Sequence, residues 1–373
     1  MSSARPSPAR DVLEDDPVAR AVRRVVPGAR VLSRRLLGAD DGPVDLTTKA
    51  TGYGAPLVVE VSDGGPPRKL VLHTATSNAF GHDRRADRAA ELLLAYDTFR
   101  LVPGHARALD VGLFDEAGGL VSLRETGEAY LLTEWVEGAP YAEHLRRIER
   151  ARAASAEDVE RVRSLARFLA SLHGQRLDDP VAWRRSVRDL VGSGEGIFGI
   201  VDGYPADAPG VPRDRLAAIE AKCASWRWRL TERADRLARI HGDFHPFNVI
   251  VGPRGELRWL DASRGCAGDP ADDLTAMAVN FVFFALASPG SWQHGFAPLW
   301  HAFFREYLAS TGDREVLAVA PPYFAWRALV VANPAWYPSV APEIRERLLG
   351  FVIETLDRGV LEPRAAEALF EGE

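Results

Sequence analysis

Apolar and polar positions divide the chain into two stretches of different texture. From Val31 to Val136 the apolar residues fall in short runs of strand character: VLSRRLL, then PLVVEV over 56–61, then KLVLHT over 69–74 after a Ser-Asp-Gly-Gly-Pro-Pro turn. The last two runs predict a hairpin. A helical period follows from Asp83 to Phe99, where Ala86, Ala89, Ala90, Leu93 and Leu94 form one apolar stripe. Three more runs, ARALDVGLF, LVSLR and AYLLTEWV, read as strands. Hairpin-length links between them imply an antiparallel sheet carrying one helix.

Beyond Glu137-Gly138 the periods become helical, over Glu157–His173, Arg213–Ile240, Pro270–Ala287, Trp292–Ser310 and Ile344–Arg358. One short hairpin interrupts them, with NVIV (248–251) turning through Gly-Pro-Arg-Gly into ELRWLDA (256–262). The expected class is α+β in two lobes: a tail over 1–18, a small antiparallel-sheet lobe with one helix over 19–136, and a larger, mainly helical lobe over 137–373.

Length agrees with that division, since 373 residues exceed what one ordinary core occupies. A hydrophobic fraction of 46% and a charged fraction of 26% belong to soluble globular chains, and a net charge of -6 offers no basic face, so no nucleic-acid partner is expected. The run AMAVNFVFFALA (276–287) is too short for a bilayer and is interrupted by Asn280, which predicts a buried helix and no membrane partner. MSSARPSPARDVLEDDP has no apolar segment of the secretory kind and reads as disordered. Cys223 and Cys266 lack a CxxC spacing and make neither a disulfide framework nor a thiolate metal site, so a reducing cytoplasm is the expected setting.

The candidate chemistry lies at the second hairpin. In HGDFHPFN, Asp243 and Asn248 stand five apart at its entrance, and Asp261 stands at its exit. Phosphoryl transfer needs a carboxylate that orients the acceptor and hard oxygen ligands for Mg²⁺; Asp243 suits the first role, Asn248 and Asp261 the second. His241, Asp243 and His245 alternate as metal-hydrolase ligands do, but such sites need further segments of the GNH or HxHxDH kind, and neither occurs. His241 is read as a buried residue beneath the loop. For His245 two roles stay open, loop packing or contact with the transferring phosphate.

HGDFHPFN followed by WLDASRGCAGDPADDL resembles the signature of the aminoglycoside phosphotransferase and choline kinase families, relatives of the protein kinases. The resemblance implies a bilobal protein kinase-like fold, ATP or GTP as donor, Mg²⁺, and a small hydroxylated acceptor. It makes Asp243 the catalytic base, Asn248 a metal ligand and Asp261 the ligand of the second metal position. Gly268, Asp269, Pro270, Asp273 and Leu274 would brace the loop, and LLTEWVEG (131–138) resembles the segment that takes the adenine edge, through Glu134 and Val136.

The first lobe departs from the pattern. Kinase-like enzymes place a lysine on the third strand, paired with a glutamate on the helix behind it. Here His73 holds that position, and an imidazole is shorter than a lysyl chain. Glu91 is the expected carboxylate partner, with Asp87 one turn earlier as a rival and Lys69 four residues from His73. Gly52 and Gly54 of TKATGYGAP are the candidates for a loop over the phosphates. Three readings follow: an active kinase with an altered clamp, a kinase with another donor, or a nucleotide-binding protein without turnover. For the acceptor, Trp292, Trp300, Tyr323, Trp326, Trp336 and Tyr337 with Arg327 offer stacking and cation-π contact, although such spacing equally builds a core. The glycine-rich stretch 191–205, with Glu195 and Asp202, reads as a binding loop or lid.

Overall fold

The expected strands VLSRRLL, PLVVEV and KLVLHT form a three-stranded antiparallel sheet in the computed structural model, which describes residues 16–36, 56–78, 81–101, 103, 106–129, 131, 133–262 and 265–371. Two units divide the chain, Met1–Leu132 and Thr133–Glu373.

The first unit begins with α1 (Pro17–Val25), and Asp16 caps it by accepting from the Ala19 N–H at 2.8 Å. The tail expected over 1–18 is therefore corrected at its end, because the cap and Pro17 start a helix; residues 1–15 lie outside the described residues. The sheet runs in the order β1 (Arg30–Leu36), β2 (Leu57–Ser62), β3 (Arg68–Leu72). Alternation sends Val31, Val59 and Val61 to one face, where Ala19, Val22 and Val26 of the α1 segment cover them. The helix α2 (Arg85–Thr98) follows as expected, but its apolar stripe is not buried, with Leu94 63% exposed.

The remaining strands do not extend that sheet. The pair β4 (Gly112–Phe114) and β5 (Leu120–Ser122) forms a separate two-stranded sheet. The strand expected in AYLLTEWV does not form among its described residues, where Leu131 is 88% and Trp135 81% exposed. A strand needs a neighbouring ladder for its backbone groups. The Trp135 indole instead donates to Glu137 at 2.8 Å.

The second unit is mainly helical. Gly138 leads into β6 (Ala139–Pro140) with φ at +140°, and a Cβ there would stand 2.5 Å from the Val251 carbonyl oxygen, so only glycine lets this strand dock. Then come α3 (Tyr141–Ala151), α4 (Ala156–His173), α5 (Pro180–Gly192), α6 (Ile197–Asp202) and α7 (Arg213–Thr231). The helix expected to reach Ile240 stops at Thr231. Arg236 must turn inward to meet Asp269 and Asp313, and β7 (Ala238–Arg239) pairs with β10 (Ala267–Gly268). Between these two strands lies the expected hairpin, β8 (Val249–Val251) and β9 (Leu257–Trp259), with β6 on its other edge.

The run read as a buried helix is α8 (Ala271–Ala287), buried from Ala271 through Leu286, with the Asn280 amide donating to the Ala276 carbonyl at 2.8 Å. Around it pack α9 (Ala297–Thr311), entered through a π turn at Trp292–Phe296, then α10 (Glu315–Val319), α11 (Pro321–Ala332) and α12 (Pro342–Arg358). Among the described residues no helix is long and apolar enough to cross a membrane. Residues 191–205 are not a lid. They close α5 and form α6, and a Cβ on Gly196 would stand 2.2 Å from the Asp189 carbonyl oxygen, so the glycine serves close packing.

Candidate active site

HGDFHPFN spans the turn from β7 into β8. Gly242 has φ +83°, and the Asn248 N–H donates to the His245 carbonyl at 2.9 Å, closing the turn. Beneath it Asp273, fully buried in the first turn of α8, accepts from the N–H groups of His241 at 2.7 Å and Gly242 at 2.8 Å. Its Oδ2 also meets His173 Nε2 at 3.1 Å, and Tyr307 holds the other nitrogen of that ring at 2.8 Å. The bracing role foreseen for Asp273 is this set of bonds. Asp269 braces from further back through Arg236, at 2.7 and 3.1 Å, and Arg236 also binds Asp313.

Asp243 is buried and faces several groups. Arg327 Nη1 donates to its Oδ1 at 2.7 Å. Asn248 Nδ2 donates to its backbone carbonyl at 3.0 Å and lies 3.4 Å from Oδ2, while His245 Nε2 is 3.6 Å from Oδ2. His245 Nδ1 accepts from the Phe247 N–H at 3.2 Å, so the ring is part of the loop and turns its far nitrogen to Asp243. His241 is buried as expected, its Nδ1 accepting from the Asp243 N–H at 3.3 Å; its Nε2 has no partner among the described residues.

Asp261 follows β9 with its backbone in the left-handed region, φ +55°, and its side chain is exposed. The Leu260 N–H donates to the Asn248 carbonyl at 2.9 Å, so the ladder places Asp261 one residue beyond the partner of Asn248. Among the described residues no three His, Cys, Asp or Glu side chains cluster as metal ligands. That is compatible with Mg²⁺, which takes one or two protein oxygens and keeps its waters. The Asn248 amide nitrogen is committed to Asp243, leaving its oxygen as the donor atom, and Asp261 supplies a solvent-facing carboxylate.

Sequence reading missed what Arg327 does. Expected among aromatics that grip an acceptor, it is 5% exposed and binds Asp243, the Gly242 carbonyl at 3.0 Å and Asp272, with its guanidinium 3.9 Å over the Trp326 ring. Burial works against its charge, but Asp272 and Asp243 outweigh it and raise the pKa above the ordinary value. The signal that was available is a lone arginine inside the otherwise apolar run PPYFAWRALVVA. Trp292, Trp300, Tyr323 and Trp326 are buried core, whereas Trp336 is exposed and Tyr337 half-buried. Burial raises the Tyr337 hydroxyl pKa, with Arg146 opposing and Asp243 adding to the rise.

In the first unit, His73 lies just past β3 and is exposed. The contact expected between it and Glu91 is not formed, because Glu91 binds His82 Nε2 at 2.9 Å, a residue that sequence reading did not single out. Asp87 is taken up by the start of α2, accepting from the Arg84 N–H at 2.8 Å. Gly52 and Gly54 lie outside the described residues. Glu134 is exposed and Val136 half-exposed, both in irregular backbone.

The family model described as phosphotransferase enzyme family matches residues 51–318. No curated protein matches the chain. Among solved structures, a choline kinase from Cryptosporidium parvum is 11% identical, with 95% of this chain and 99% of that one covered and a TM-score of 0.36. An aminoglycoside phosphotransferase from Streptomyces rimosus is 19% identical, with coverages of 74% and 89% and a TM-score of 0.34. A microcompartment-associated aminopropanol kinase is 15% identical, with coverages of 92% and 99% and a TM-score of 0.38.

Proposed function

Because the chain belongs to the phosphotransferase enzyme family, we propose that it moves the γ-phosphoryl group of ATP or GTP to a hydroxyl of a small molecule. Asp243 is the base. As the acceptor oxygen bonds to the γ-phosphorus, the bond from that phosphorus to its bridging oxygen breaks, the hydroxyl proton passes to Asp243, and the nucleoside diphosphate leaves. Asn248 and Asp261 hold Mg²⁺, which when bound neutralises charge on the phosphates. His73 is a contact for the donor phosphates, and the backbone of Glu134 and Val136 meets the nucleobase.

The observation that carries this reading is the environment of Asp243: a buried carboxylate oriented by Arg327, with Asn248 on its backbone carbonyl, in a loop whose N–H groups Asp273 holds. The test is a magnesium-dependent turnover assay with ATP and GTP against a panel of amino alcohols, sugars and aminoglycosides. Asp243→Ala should lower kcat about 10²–10⁴-fold with nucleotide affinity nearly unchanged. Wild-type turnover in that variant would sink the assignment. A second reading, nucleotide binding without turnover, is favoured by His73 in the lysine position and by Glu91 turned to His82. Nucleotide binding with no product across the whole panel would select it.

A further inference from the structure

We infer that Arg327 is a positioning residue for the transfer, its guanidinium setting which way the Asp243 carboxylate faces. The inference rests on Asp243 as the base. A carboxylate on a short side chain has a broad terminal torsion, so its direction must come from its surroundings. Here one planar group on α11 supplies it. Nη1 takes Asp243 Oδ1 at 2.7 Å, while Nη2 takes the carbonyl of the preceding residue, Gly242, at 3.0 Å, so side chain and backbone are gripped by the same fork. Asp272 binds Nη2 from the first turn of α8, beside the Asp273 that holds the loop from below. Trp326 stacks on the guanidinium, and its own indole donates to the Glu195 carbonyl at 2.6 Å.

With Oδ1 bound to Arg327, the Oδ2 edge is directed toward the side of His245 and Asn248, which is the oxygen that takes the hydroxyl proton. A lysine carries the same charge but presents a point donor rather than a fork, so it cannot grip Asp243 and Gly242 in one plane. Displacing a reacting group by about 1 Å costs on the order of 10²-fold in rate. Arg327 therefore acts on kcat through Asp243, without touching substrate.

The experiment measures phosphate release from Mg-ATP, with water as acceptor, in wild type, Arg327→Lys, Arg327→Ala, Asp272→Asn and Asp243→Asn, each checked for folding by circular dichroism. Folded Arg327→Lys should lose about 10- to 100-fold in kcat with KM for ATP within about two-fold. Methylguanidinium should restore about ten-fold of the rate to Arg327→Ala, and methylammonium should not. If Arg327→Ala does not fold, Asp272→Asn decides: it keeps the arginine and an oxygen acceptor but removes the anionic partner of Nη2, and should lower kcat by about three-fold or more at constant KM. Wild-type kcat in folded Arg327→Lys and Asp272→Asn, or losses that only follow the folded fraction, overturn the inference. Full activity in Asp243→Asn would instead remove the base assignment, and this role with it. A dead Asp243→Asn beside an unaffected Arg327→Lys would remove the arginine's role alone.

Discussion

Asp273 does for the HGDFHPFN loop what a helix does for its own backbone. Two N–H groups in a buried turn need acceptors, and one carboxylate at the first turn of α8 supplies both while also meeting His173. An amide in its place keeps one acceptor and turns a donor against N–H groups. Asp273→Asn should lower stability by about 3 kcal/mol, measured as a shift of the urea midpoint at constant slope. A change below about 0.5 kcal/mol would mean that the loop holds itself. At this scale the motif residues were legible, because Asp243, Asn248 and Asp261 sit within one hairpin whose turn can be read from Gly and Pro. Arg327 was not, since it reaches Asp243 from 84 positions away and local periodicity carries no record of such a contact. Glu91 pairs instead with His82, which stands just before its own helix.

Elements formed where a local signal and a tertiary partner agreed. The helix α4 has both, a capping box between Ser155 and Asp158 and a buried stripe of Val162, Leu165 and Leu169. AYLLTEWV had the composition of a strand but finds no ladder among its described residues, and the helix from Arg213 was cut short by the buried pairing of Arg236. The same ion pairs fix how stability depends on pH. Burial pushes Asp158 and Asp313 up, but hydrogen bonds from Arg147 and Ser155 to the first, and from Arg236 to the second, win and hold both below the ordinary aspartate value. Groups depressed in this way contribute fully above the unfolded value and lose that contribution as pH falls through the folded one. Urea midpoints should therefore be steady from about pH 7 to 5 and drop below about pH 4. Asp313→Asn should be less stable at pH 7 yet show a shallower acid decline; an unchanged decline in both Asp313→Asn and Asp158→Asn would refute the account.

Across the whole molecule, the two cysteines report on the helical core. Burial pushes the Cys223 thiol up to about 12, with Glu220 adding to it, whereas Cys266 is raised by burial but remains half-exposed. Iodoacetamide at pH 8 should label Cys266 in the native protein and reach Cys223 only with global unfolding; equal native rates would mean that the core around α7 opens locally. Sequence periodicity sufficed for the sheet-then-helix division, for the buried α8 and for the hairpin that carries HGDFHPFN, because each depends on residues a few positions apart. Tertiary structure alone decided that the first unit's strands split into two sheets, that most of the C-terminal aromatics are core, and that an arginine from α11 holds Asp243. Burial and ion pairing depend on which surfaces meet in space, and that information is spread over the chain rather than written at the residue concerned.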